Sequence, residues 1–209
     1  FARCRAWVVR RGFSTEISGA WLKSFAFQNA STAVWAFELP VGEGKLLPLK
    51  IELQLHEGRN AVSLRFLRLS GLADPGVSIV LRPDVEDRSF HEKTVLSDEA
   101  LKIWAGTTRS ESDGCDVPIH GGRALRLRIN KGTFQSEVER VTAGNPQDAD
   151  RGLGGCSDLF SPGFFIAELS AGETIELGVV ADGGDALSHL PLSGSGAPAV
   201  LPMSDVARR

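Results

Sequence analysis

Between residues 46 and 69, apolar and polar positions alternate with a period of two. Leu47, Leu49, Ile51, Leu53 and Leu55 share one parity, and Pro48, Lys50, Glu52, Gln54 and His56 share the other. Successive strand side chains point to opposite faces, so this segment predicts a strand with one buried face. Glu57-Gly58-Arg59-Asn60 supplies turn chemistry, because Gly and Asn tolerate positive φ. Val62, Leu64 and Phe66 then resume the alternation. The whole reads as two antiparallel strands of a half-buried sheet.

The same period recurs along the chain. Residues 6–9, 25–27 and 32–39 predict three strands before this hairpin, the last closed by the turn Pro40-Val41-Gly42-Glu43-Gly44. Residues 76–81 predict a further strand. Residues 123–129 and 134–141 predict a second hairpin across Asn130-Lys131-Gly132. Ser161-Pro162-Gly163 reads as a turn, followed by strands at 164–169 and 174–181. Ser97-Asp98-Glu99-Ala100 predicts a single capped helical turn. Residues 109–122 and 143–157 are polar and Gly-rich, and predict loops. Many short strands with Gly/Pro punctuation predict an all-β fold, an antiparallel β-sandwich with long loops and little helix. That domain would span residues 1–182. Residues 183–209, rich in Gly, Ser, Pro and Ala, would be a tail or linker.

Composition narrows the class. Of 209 residues 42% are hydrophobic, enough for a core, and the net charge of −3 gives no basic footprint for nucleic acid. Arg123, Arg126 and Arg128 interleave with Leu125, Leu127 and Ile129, which predicts the wet face of a strand rather than a phosphate site. Cys4, Cys115 and Cys156 are odd in number and widely spaced, with no CxxC pairing, so neither structural zinc nor a disulfide framework is expected. Reduced thiols fit a cytoplasmic protein. No apolar run approaches the ~20 residues that cross a bilayer, so no membrane partner is expected. The opening at Phe1, without an initiator Met, reads as a processed product or a piece of something longer.

Standard catalytic signatures are missing. There is no GxSxG elbow, GxxxxGK[ST] loop, GxGxxG after a strand or HExxH. Gly152-Leu153-Gly154-Gly155 lacks the Lys and following helix of a phosphate loop. The densest polar cluster runs from Arg82 to Glu92. Its carboxylates Asp84, Glu86 and Asp87 would have to flank a glycosidic bond to act as a hydrolase pair. A solvated loop with internal salt bridges and turn hydrogen bonds is the favoured reading of them. Arg82, Asp84, Arg88 and His91 are instead candidates for docking another domain or shaping a cleft. His56, His91, His120 and His189 share no metal-ligand spacing, so neither a metal nor a cofactor is expected. Among the tryptophans, Trp7 and Trp35 lie in apolar strands and read as core. Trp21 and Trp104 lie in less regular surroundings and are candidates for stacking on sugar rings.

Several segments together resemble the N-terminal β-domain of bacterial and archaeal glycogen debranching enzymes of the amylo-α-1,6-glucosidase type. They are Trp35-Ala-Phe-Glu-Leu-Pro40, Ile51-Glu-Leu-Gln-Leu55, Glu57-Gly-Arg-Asn60, Val80-Leu-Arg-Pro-Asp-Val85 with Arg88-Ser-Phe-His91, and Leu159-Phe-Ser-Pro-Gly-Phe164 with Ala171-Gly-Glu173. The resemblance covers roughly residues 25–181 and implies a β-supersandwich placed ahead of an α/α-barrel that carries the glucosidase carboxylates. That barrel and the family's opening segment are not in this sequence, so the chain reads as the later part of the N-terminal domain. No catalytic residue is carried over. The expectation is a non-catalytic accessory domain that packs on the barrel of the same parent chain, with α-glucan as a further partner. The alternative is a free-standing carbohydrate-binding or lectin-like module.

Overall fold

A computed structural model of the chain describes residues 1–69, 76–88, 92–144, 149–152 and 155–182. The alternating segments pair there into two antiparallel sheets. In chain order the strands are β1 (Arg3–Arg10), β2 (Phe13–Glu16), β3 (Leu22–Asn29), β4 (Thr32–Pro40), β5 (Leu46–Leu55), β6 (Ala61–Arg68) and β7 (Val77–Asp84). After helix α1 (Asp98–Thr107) follow β8 (Arg109–Glu111), β9 (Gly114–Ile119), β10 (Arg123–Ile129), β11 (Thr133–Gly144), β12 (Cys156–Leu169) and β13 (Thr174–Asp182). The smaller sheet has five strands in the order β11-β12-β7-β1-β2, and the larger has eight in the order β3-β4-β5-β6-β13-β10-β9-β8. The all-β sandwich predicted from the alternation is thus the fold.

Parity fixes what each strand buries. In the smaller sheet Ala6, Val8, Ile79, Leu81, Phe165 and Leu169 point inward. They meet Leu39, Leu49, Phe66, Leu127, Ile175 and Leu177 of the larger sheet. Burying each such Leu, Ile or Phe contributes about 2 kcal/mol, so this double layer is the main source of stability. Arg126 and Arg128 take the outer face of β10, where Arg128 reaches Asp116 at 2.8 Å and Glu111 at 3.1 Å. That is the wet face the alternation predicts.

Four local expectations are corrected. The single helical turn is a ten-residue helix, α1, capped by the Ser97 side chain accepting from the Ala100 N–H. Its Ala100, Leu101 and Trp104 pack on the core, which holds the helix beyond its first turn. The expected loop at 109–122 contains β8 and β9, because Cys115 and Val117 find buried places beside β10. Ser161-Pro162-Gly163 is not a turn but lies within β12. The strand runs through because Gly163 adopts φ +155° beside the Gln135 carbonyl of β11, where any Cβ would collide. Finally, Trp7 is not core. It stands half-buried on the outer face of the smaller sheet, since Ala6 and Val8 take the inward parity.

Candidate functional site

The outer face of the smaller sheet brings together residues from both ends of the sequence. β1 pairs β7 so that Arg3 lies opposite Asp84, and Arg5 opposite Arg82. Asp84 has no exposed surface. Its carboxylate accepts from Arg3 Nε at 2.6 Å, Arg5 Nε at 3.0 Å and Arg5 Nη2 at 2.9 Å. Arg5 also reaches Glu139 at 3.0 Å, and Arg82 reaches the same carboxylate at 3.0 Å. Arg82 further donates to the Ser161 hydroxyl at 3.1 Å and to Glu137 Oε1 at 2.8 Å. Three guanidinium groups and three carboxylates therefore alternate in one network with no net charge. A buried carboxylate is tolerated only when it is paired and hydrogen-bonded in this way.

Beside this network the face turns apolar. Trp7, Val80 and Ile166 stand in register across β1, β7 and β12, with Phe164 next to them, and all four are half-buried. The Arg5 guanidinium lies 5.9 Å from the Trp7 ring centroid, which links the charged end to the apolar stripe. At the far end Ser78 donates to Glu168 at 2.6 Å. An apolar stripe between polar borders is how protein interfaces are built.

The other sequence candidates lie elsewhere. Arg88 is exposed, pairs with Glu86 at 2.9 Å and donates to the Glu92 carbonyl. Asp87 accepts from the His120 backbone N–H. His91 falls outside the described residues. Trp21 is 38% exposed on a short 3₁₀ turn, Gly19–Trp21, at the start of β3. Trp104 faces inward from α1 and meets Phe160 edge-on at 5.0 Å between centroids. The structure brings Arg82 and Asp84 into one network, whereas Trp21 sits at the start of β3 and Trp104 faces the core. Sequence reading missed Arg3, Arg5, Glu137 and Glu139, which lack any local motif.

A cavity of about 270 Å³ opens at the end of the sandwich, lined by Phe1, Cys4, Trp35, Ile51, Leu53 and Phe66 among others. Desolvation pushes the Cys4 thiol up to about 12, and the Asp84 carboxylate adds to it. A thiol held so firmly protonated is inert as a nucleophile.

Two packed antiparallel sheets with one paired-charge face define a β-sandwich domain. Residues 9–176 match the family described as glycogen debranching enzyme N terminal, and the chain belongs to that family. It is accordingly an N-terminal domain of a glycogen debranching enzyme, a larger enzyme with further domains. No individual curated protein matches the chain. Among the described residues no helix is long and apolar enough to cross a membrane.

Proposed function

We propose that this chain is a non-catalytic accessory sandwich of a cytoplasmic amylo-α-1,6-glucosidase. Residues 1–182 form the domain and 183–209 a linker. The domain packs on the α/α-barrel of the parent chain through the outer face of the smaller sheet and so helps shape the glucan cleft. The observation that carries this reading is the pairing of Asp84. A glycosidase requires two carboxyl groups free to face a sugar, one of them holding a proton. Asp84 is instead saturated by guanidinium donors and out of reach of any substrate, and Glu139 is paired with both Arg5 and Arg82. Arg82 and Asp84 then serve as the rigid charged border of a docking face. The test is to titrate the pure chain calorimetrically with maltooligosaccharides and glycogen while assaying glucose. No glucose is expected, and steady release would overturn the accessory role.

A second reading, a glucan-binding module, rests on the exposure of Trp21, the indole that would stack on a pyranose ring. It expects measurable glucan affinity that Trp21→Ala removes, while Trp104→Ala changes mainly stability. Unchanged binding in Trp21→Ala would sink it.

A further inference from the structure

The larger sheet is wider than the smaller one, and its surplus is at β3. Register shows which side of β3 faces inward. Phe25 lies opposite Trp35, Ile51 and Phe66 in turn, and Phe27 opposite Ala33, Leu53 and Leu64. Both phenylalanines therefore stand on the face that elsewhere forms the core. Yet Phe25 is 47% exposed and Phe27 73% exposed, and β3 packs substantially against β4 but against no strand of the smaller sheet. Their rings pack on each other and on Trp35, with centroids 5.0 and 5.1 Å apart.

The sandwich has four edge strands, and three are protected. β2 has four residues and β8 three, too short to template a partner. β11 is long, but a bulge interrupts it between Ser136 and Glu139, and it carries Glu137, Glu139 and Arg140. β3 has eight residues and one charge, Lys23, which pairs with Glu38. Register shifts at Leu22/Ser24 and Phe27/Asn29 leave residues 24–27 as the regular stretch. Among the described residues nothing pairs with its outer edge.

We propose that β3 is a homodimer edge, pairing antiparallel with β3 of a second copy about a two-fold axis at Ala26. The sequence of the strand is complementary to itself in that register. Phe25 meets Phe27 of the partner copy on the inner face, Ser24 meets Gln28 on the outer, and Lys23 meets Asn29 rather than another charge. A two-fold normal to the sheet keeps both apolar faces on one side. The eight-stranded sheets then join into one, and four phenylalanines form a cross-strand cluster between the two Trp35 rings. Matched polarity with no like charges opposed is what favours a second copy as the occupant.

Sedimentation velocity of the 209-residue chain tests this. A concentration-dependent monomer–dimer equilibrium is expected. Phe27→Lys, at an exposed position, should weaken it by about tenfold or more, as should Ala26→Pro. Circular dichroism would check that each variant remains folded. In a Cys156→Ser background, Ala26→Cys should give a disulfide-linked dimer on oxidation, because that residue faces itself across the axis. Ser24→Cys should not, because its two copies lie about four residues, roughly 13 Å, apart. A monomer at every concentration would overturn the proposal. So would a dimer indifferent to both β3 substitutions, or cross-linking by Ser24→Cys as efficient as by Ala26→Cys. If Phe27→Lys instead disturbed only assembly of the full debranching enzyme, β3 would be an edge for another domain and the homodimer would fall.

Discussion

Removing the Asp84 carboxylate would leave Arg3 and Arg5 facing each other over a buried gap. Their attraction to Asp84 offsets the cost of taking that carboxylate out of water, and Arg5 would keep only Glu139, which it shares with Arg82. Asp84→Ala should therefore cost about 3 kcal/mol in urea unfolding, less than a fully buried pair because Arg3 is 40% exposed. Glu173 offers a pH-dependent counterpart. Its carboxylate accepts from Lys131 at 2.8 Å and from the Ser170 N–H at 2.8 Å. Those bonds, the Lys131 one foremost, hold its pKa below the ordinary 4.5. Folding then favours the ionised form. The stabilisation is complete above pH 4.5 and is lost as the pH falls below that through the lower native value. Glu173→Gln should flatten this part of the stability–pH profile and leave the neutral range nearly unchanged. Thermal unfolding between pH 3 and 7 would check it. Little of this was legible beforehand. In the sequence Asp84 stands out only by its place in a dense polar run. Its partners are 79 and 81 residues away, and only the pairing of β1 with β7 brings them near.

At the scale of elements, alternation foretold the strands that bury one full face, such as β4, β5, β6, β10 and β13. It failed where burial is slight. β2 and β8 are short edge strands with almost no buried side chain, so their composition reads as loop. Ser161-Pro162-Gly163 misled for another reason. Pro and Gly punctuate turns, but here the glycine permits close approach of β11 to β12. Gly163→Ala should cost about 3 kcal/mol, since the new methyl would strike the Gln135 carbonyl and the backbone would be strained. Equilibrium denaturation would show this as a lowered midpoint with unchanged slope. α1 was foretold only as a turn, although Leu101 and Trp104 at helical spacing were available as a signal. Ser97→Ala should cost about 1 kcal/mol through its lost cap, measurable in the same way.

For the whole molecule, alternation gave two-sided sheets without saying which strands neighbour one another, so it could not show that the outer face of the smaller sheet gathers an apolar stripe. That stripe provides the test of docking in the parent enzyme. Ile166 stands between Val80 and Thr133 on the outward side, half-buried and clear of the core. Ile166→Glu should therefore cost the isolated chain only about 1 kcal/mol. Against a barrel packed on the stripe, the same carboxylate would be buried without a partner, and the interface would open. Two domains joined by a tight interface unfold together, whereas loosely joined ones unfold separately. Scanning calorimetry of the debranching enzyme should show one coupled transition for the natural sequence and two for Ile166→Glu. The sandwich transition of the variant should fall near that of the isolated chain. A single transition retained in the variant would mean that the barrel packs elsewhere on the sandwich.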